Sequence, residues 1–170
     1  MPVLNVPPLL SASIVTAFEA QIEQEMSAML QYRAWANACR ARAYRGSLKW
    51  LKAQSREELH HANKFQHFIT GLNEDVSLPP GDAPDESFTD LPTLFRAAYD
   101  LETEQAVSLQ KLSAQITAEG NLIVAEWVDQ HLKHQRKELT ELITILNWFD
   151  HAGNDEAALE MVDHKIGKKS

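Results

Sequence analysis

Apolar residues recur at three- and four-residue spacing through long stretches of this chain, the period of a helix that turns one face to a core. Phe18, Ile22, Met29 and Tyr32 lie on such a stripe and predict a first helix over roughly 11 to 42. Ala43-Tyr44-Arg45-Gly46-Ser47 reads as a short turn closing a helical hairpin. A second helix, roughly 47 to 72, carries Leu51, Ala62, Phe65 and Ile69, with Ser47 as its expected N-cap and Gly71 near its end. Asn73 to Leu91 breaks the pattern with Pro79-Pro80-Gly81, Pro84 and several acidic residues, and is longer than ordinary helix connections. Thr89 or Asp90 would cap a third helix reaching about 118, with Pro92 in its first turn. Gly120-Asn121 separates it from a fourth helix ending near 150, and His151-Ala152-Gly153-Asn154 precedes a short fifth helix over 155–166.

The long connection constrains the topology. About 18 extended residues at ~3.3 Å each reach ~60 Å, whereas a helix of about 26 residues is ~39 Å long. The connection can therefore run back along a helix and leave the second and third helices parallel. The predicted fold is all-α: a four-helix bundle with a long crossover between helices two and three and a short C-terminal fifth helix. At 170 residues the chain suits a single domain over 1–170, its first ten residues forming a proline-rich N-terminal extension.

Charge and cysteine content narrow the setting. A net charge of -8 disfavours nucleic acid as a partner, because phosphate binding needs a clustered basic surface. No run approaches the ~18 apolar residues of a membrane span, and the N-terminus has neither a basic n-region nor an apolar h-region. Cys39 is the single thiol and reads as packing. A soluble, cytoplasmic protein without membrane partner is expected.

Four helices each place a carboxylate on the apolar stripe: Glu25, Glu58, Glu102 and Glu138. Glu25 shares its face with Phe18, Met29 and Tyr32, and Glu58 with Leu51, Ala62 and Phe65. Glu102 is flanked by Phe95, Ala98, Ala106 and Leu109, and Glu138 by Leu142 and Ile145. Depth can be counted from each turn, since both arms of a hairpin rise by ~1.5 Å per residue. Glu102 and Glu138 stand 18 residues either side of position 120, and Glu25 and His61 match to within a few Å about the first turn. One such glutamate alone would read as a surface group beside the core edge. Four at one level call for cations, because a buried carboxylate without a partner costs several kcal/mol. Iron or a similar divalent metal is the expected ion. The Glu58-Leu59-His60-His61 spacing adds a nitrogen donor on the same side of the helix, and Glu58 can bridge two metals. Glu23, Glu57, Glu104 and Glu141 read by default as solvated, Glu57 least so. His134 lies one turn before Glu138, while His60, His67, His131, His151 and His164 read as solvent-facing or capping.

At these residues the chain resembles the bacterial non-haem ferritins of the ferritin-like di-iron carboxylate superfamily. The likeness spans nearly the whole chain. It rests on Glu25 with Tyr32, Glu57-Glu58-x-x-His61, Leu94-Phe95 ahead of Glu102, Gln135-x-x-Glu138, and Leu159-x-x-Val162-Asp163. The resemblance implies one iron held by Glu25, Glu58 and His61 and a second by Glu58, Glu102 and Glu138. Gln135 would stand beside them, and Tyr32 would hydrogen-bond near the pair. It further implies a ferroxidase that oxidises Fe(II) with dioxygen or hydrogen peroxide at a di-iron centre. The ferric product would be stored as mineral inside a hollow homo-oligomer, a cage of 24 subunits in that family.

Two departures qualify the likeness: the positions of a third iron site and the proline-rich N-terminal extension. Many bacterial relatives build a third iron site from the position of Glu57 and two carboxylates on helix four, which here read His134 and Lys137. A third iron is therefore expected to be absent or weak, with Glu57 and His134 the residual candidates. Haem-containing relatives carry Met after the helix-two glutamate, where this chain has Leu59, so no haem is expected and Met26 reads as packing. Two other functions compete: a non-storing di-iron oxidase or peroxide-scavenging protein, and a non-catalytic helical subunit whose glutamates pair with Arg or Lys. The fifth helix, needed for cage packing in ferritins, speaks against the former, and the lack of basic residues on the inward stripes against the latter.

Overall fold

The computed structural model describes residues 9–169, so that most of the expected N-terminal extension, residues 1–8, lies outside the described residues. Five helices follow in order: α1 Ala12–Ala41, α2 Arg45–Gly71, α3 Leu91–Ala118, α4 Leu122–Ala152 and α5 Glu156–Ile166. Four of the starts are capped as local chemistry dictates, with a short polar side chain accepting from a first-turn amide. Ser11 Oγ accepts from Ile14 N at 3.3 Å, Asp90 Oδ1 from Thr93 N at 2.7 Å, Asn121 Oδ1 from Val124 N at 3.3 Å and Asp155 Oδ1 from Ala158 N at 2.7 Å. Pro92 occupies the first turn of α3, where its missing N–H loses no helical bond.

The start of α2 differs from expectation. The helix begins at Arg45, two residues before Ser47, and Tyr44 precedes it without a side-chain cap. The acceptor comes from α5 instead. Asp163 Oδ2 accepts from Gly46 N at 3.0 Å, and its Oδ1 accepts from Ser47 N at 2.7 Å and Ser47 Oγ at 2.6 Å. A carboxylate at a helix N-terminus answers both the unpaired amides and the helix dipole. Gly46 is required there, since a Cβ would sit 1.7 Å from the Asp163 carbonyl oxygen.

The crossover lies along α1. Ser77 N donates to Glu19 Oε1 at 3.1 Å, Asp82 N to Ser27 Oγ at 2.8 Å and Asp85 N to Gln31 Oε1 at 2.8 Å. Residue numbers climb together on both strands of this contact, so the crossover follows the direction of α1 and delivers α3 parallel to α2, as its length predicts. Gly81, at φ +75°, lets the chain pass so close to Met26 and Ser27 that a Cβ would meet their backbone at 3.0 Å.

Packing divides the bundle interior into two apolar clusters. One end gathers Trp35, Cys39, Trp50, Leu94, Phe95 and Phe149 with Val162 and Ile166 of α5. The other gathers Ile14, Phe18, Phe65, Ile69, Ile116 and Val128, with Met26 packed at its margin. Cys39 is fully buried, and burial pushes its thiol up to about 12, which suits inert packing. Between the clusters lies a layer of buried polar side chains: Gln21, Glu25, Glu58, His61, Glu102, Gln105 and Gln135.

Candidate metal centre

Each of the four long helices contributes to this layer through an inward position one or two turns from a large apolar neighbour, which fixes the polar side chain inside. Glu25, Glu58 and Glu102 are 1%, 0% and 0% exposed. The Glu138 side chain is 8% exposed. The inward facing read from the sequence is thus what the structure has for these four side chains.

Two groups of ligand atoms form here, each with all its atoms within 4.8 Å of one another: Glu25, Glu58 and His61, and Glu57, His61, His134 and Glu138. His61 Nδ1 lies 3.7 Å from both Glu25 Oε2 and Glu58 Oε2, too long for hydrogen bonds and open enough for an ion between them. Four carboxylate oxygens in the layer, Glu25 Oε2, Glu58 Oε1 and both of Glu138, are buried without a hydrogen-bond partner. Natural proteins leave such atoms unpaired at a cost of about 1–3 kcal/mol each or more, so the arrangement fits a cation-binding role. The donor set, oxygen-rich with one imidazole, suits iron or a similar divalent metal.

The second expected set, Glu58, Glu102 and Glu138, is not drawn into one such group among the described residues. Glu102 is engaged elsewhere. The Tyr32 hydroxyl donates to its Oε1, and Gln135 Nε2 donates to Oε2 at 2.5 Å and to the Glu102 carbonyl at 3.1 Å. Tyr32 and Gln135 therefore stand beside the Glu102 carboxylate, where the resemblance puts them, and hold it in place.

Electrostatics show the strain of gathering like charges. Burial, then the charges of Glu102 and Glu25, push Glu58 well above the usual carboxylate range. Burial and the charge of Glu138 raise Glu102 to about 8. Burial likewise raises Glu25, but His61, Glu58 and Gln21 outweigh it and leave that carboxyl below its ordinary value. Tyr32 is lifted well above 10 by burial and by Glu102, so it remains a proton donor. His134 is raised, first through Glu138.

Several participants carry no clear sequence signal. Gln21 Nε2 donates to Glu25 Oε1 at 2.7 Å and Gln105 Nε2 to Glu58 Oε2 at 3.4 Å, orienting both carboxylates. Both amides lie on inward stripes four or three residues from an expected ligand, which is the only hint the sequence offers. His131, expected at the solvent-facing side, is instead packed between Phe65 and Trp127 at ring distances of 4.8 and 4.1 Å. Its Nδ1 bonds the Trp127 carbonyl at 3.0 Å, the ordinary reach of one helical turn. Glu141, expected to be solvated, accepts from Trp50 Nε1 at 2.6 Å. Lys137 is exposed and lines a groove with Arg136, Thr140, Glu141, Thr144 and Lys169.

A bundle of four long helices with a crossover and an inward ring of glutamates, one in Glu-x-x-His spacing, defines the class of helical carboxylate proteins. The chain belongs to the ferritin family, whose Ferritin-like domain matches residues 15–151. It is similar to the bacterial non-heme ferritin of Staphylococcus aureus, 22% identical over 162 residues that cover 95% of this chain and 98% of that protein. The bacterial non-heme ferritin of Staphylococcus epidermidis matches with the same identity and coverage. Among solved structures, an open pore ferritin from the hyperthermophilic archaeon Archaeoglobus fulgidus superposes with a TM-score of 0.90 at 22% identity, covering 93% of this chain and 96% of that one. An engineered closed form of that ferritin gives 0.89 at the same identity and coverage.

Proposed function

We propose that this protein is an iron-storage ferritin whose buried carboxylate layer is a ferroxidase centre. The observation that carries the reading is the set of four buried carboxylate oxygens without partners, at one level and beside His61. Fe(II) is the substrate. Glu25, Glu58 and His61 hold one ion and Glu58, Glu102 and Glu138 the other, so Glu58 serves both. Gln21, Gln105, Gln135 and Tyr32 orient the carboxylates before the ions arrive, which lowers the reorganisation that binding requires. Two Fe(II) each give up one electron, and the electron pair with two protons takes dioxygen to hydrogen peroxide, or hydrogen peroxide to water. The glutamates favour the product because hard carboxylate oxygens stabilise Fe(III). Storage of the ferric mineral in a homo-oligomeric cage and a cytoplasmic location complete the proposal.

Anaerobic Fe(II) titration followed by stopped-flow oxidation tests it. The wild type should bind about two Fe(II) per chain, and Glu58→Ala should lose both tight binding and at least about 10-fold in the initial rate, being the shared ligand. His61→Ala, which removes one ligand from one ion, should be milder. An initial rate in Glu58→Ala equal to the wild type would place the oxidation elsewhere.

A further inference from the structure

Beside the buried layer a second gathering of donor atoms reaches toward solvent. Glu57 and His61 from α2 and His134 and Glu138 from α4 lie together across the seam of those helices. His134 Nε2 is 2.9 Å from Glu57 Oε1 and 3.2 Å from Glu138 Oε1, and its ring meets that of His61 edge to face at 5.0 Å. Exposure grades across the group, from 40% and 36% at the side chains of His134 and Glu57 to 9% and 8% at those of His61 and Glu138. Glu138 brings two buried oxygens that no hydrogen bond satisfies. Among the described residues, the basic group at ion-pair distance from Glu57 and Glu138 is His134.

We propose that Glu57, His61, His134 and Glu138 form a four-ligand site on the α2/α4 seam that takes Zn(II) or Co(II) in preference to Fe(II). Two imidazoles and two carboxylates are the number and kind of donor that a tetrahedral divalent ion uses. Affinity for such a site rises from Fe(II) through Co(II), and Zn(II) also stands above Fe(II), while imidazole suits zinc. An ordinary surface ion pair would account for Glu57 and His134. It would leave Glu138 Oε2 buried and unanswered, with Oε1 met only by His134 Nε2 at 3.2 Å. The proposal rests on the function above only in sharing His61 and Glu138 with the iron pair, so the two sites compete for those side chains.

Metal-free wild type, His134→Gln, Glu57→Gln and Glu25→Gln are titrated with Co(II), then with Zn(II), following the visible absorption of bound Co(II) and the metal retained on dialysis. Fe(II) affinity is measured in parallel without oxygen, and circular dichroism establishes folding. The wild type should show the intense absorption of four-coordinate Co(II), and Zn(II) should abolish it. His134→Gln should lose that absorption and bind Co(II) about 10-fold more weakly or worse. Glu57→Gln, altering a half-exposed side chain, carries the same test should His134→Gln fail to fold. Glu25→Gln should keep the absorption while losing Fe(II) affinity. An unchanged Co(II) spectrum and affinity in the folded His134 or Glu57 variant overturns the seam site and leaves the iron reading standing. If Glu25→Gln binds Fe(II) as the wild type does while His134→Gln loses the Co(II) absorption, the iron reading fails and the seam site stands.

Discussion

Burial and mutual repulsion hold Glu58 and Glu102 toward their protonated forms when no cation lies between them, Glu102 up to about 8. In the unfolded chain both ionise near the ordinary 4.5. Between those values Glu102 is protonated in the folded chain and ionised in the unfolded one, so its contribution to stability declines as pH rises from 4.5 to about 8, and Glu58, raised in the same direction, adds to the decline. Under the proposed function, cations at these carboxylates would keep both groups ionised and remove the penalty. The difference in melting temperature between metal-loaded and metal-free protein should therefore widen from about pH 5.5 to about pH 8, since other groups largely cancel in the difference. Thermal melts of both forms at the two pH values check this, and a gap that narrows toward pH 8 would mean the carboxyls are not confined as described. These residues were legible in the chain because their facing and their distance from each turn agree. Gln21, Gln105 and His131 were not: an inward amide or imidazole is compatible with any core, and what marks them is the partner contributed by the fold.

Helix bounds follow from local chemistry, and they fail where the chemistry is not local. Ser11, Asp90, Asn121 and Asp155 each cap the helix they precede, so the periodicity and the caps agree to within a residue or two. Ser47 misleads because its hydroxyl and amide are taken by Asp163, 116 residues away. The same contact makes α5 a structural part of the bundle rather than an appendage. Asp163→Ala would leave three donors at the start of α2 without their acceptor; hydrogen bonds to a charged group contribute about 1.5–3 kcal/mol each net of water, and three that share one carboxylate do not add in full. A loss of about 2–4 kcal/mol is expected, which for a chain of this size lowers the melting temperature by very roughly 5–15 °C. Gly46→Ala should reach a similar result by another route, pushing α5 away by collision with the Asp163 carbonyl. Differential scanning calorimetry measures both, and a drop under about 1 kcal/mol in either variant would show that α5 docks by its apolar face alone.

At the scale of the molecule, the two apolar clusters pack the bundle at either end and leave the carboxylate layer between them, so the site interrupts what would otherwise be a continuous apolar core. That arrangement serves a storage cage and a free-standing oxidase equally well. What separates them is assembly. Large apolar side chains remain on the surface, Leu122 and Ile123 at the start of α4 and Met161 on α5, each more than 70% exposed. A monomer would leave adjacent Leu122 and Ile123 in water, whereas a cage offers them neighbouring subunits. Light scattering on the full chain is expected to give a particle of roughly 460 kDa, the mass of about 24 chains of 19.2 kDa in closed symmetry. Aerobic Fe(II) added well beyond two per chain should then stay with that particle as ferric mineral. A monomer or dimer that turns over Fe(II) and sheds ferric iron to precipitate would select the non-storing oxidase, with the same residues doing the oxidation and nothing enclosing the product.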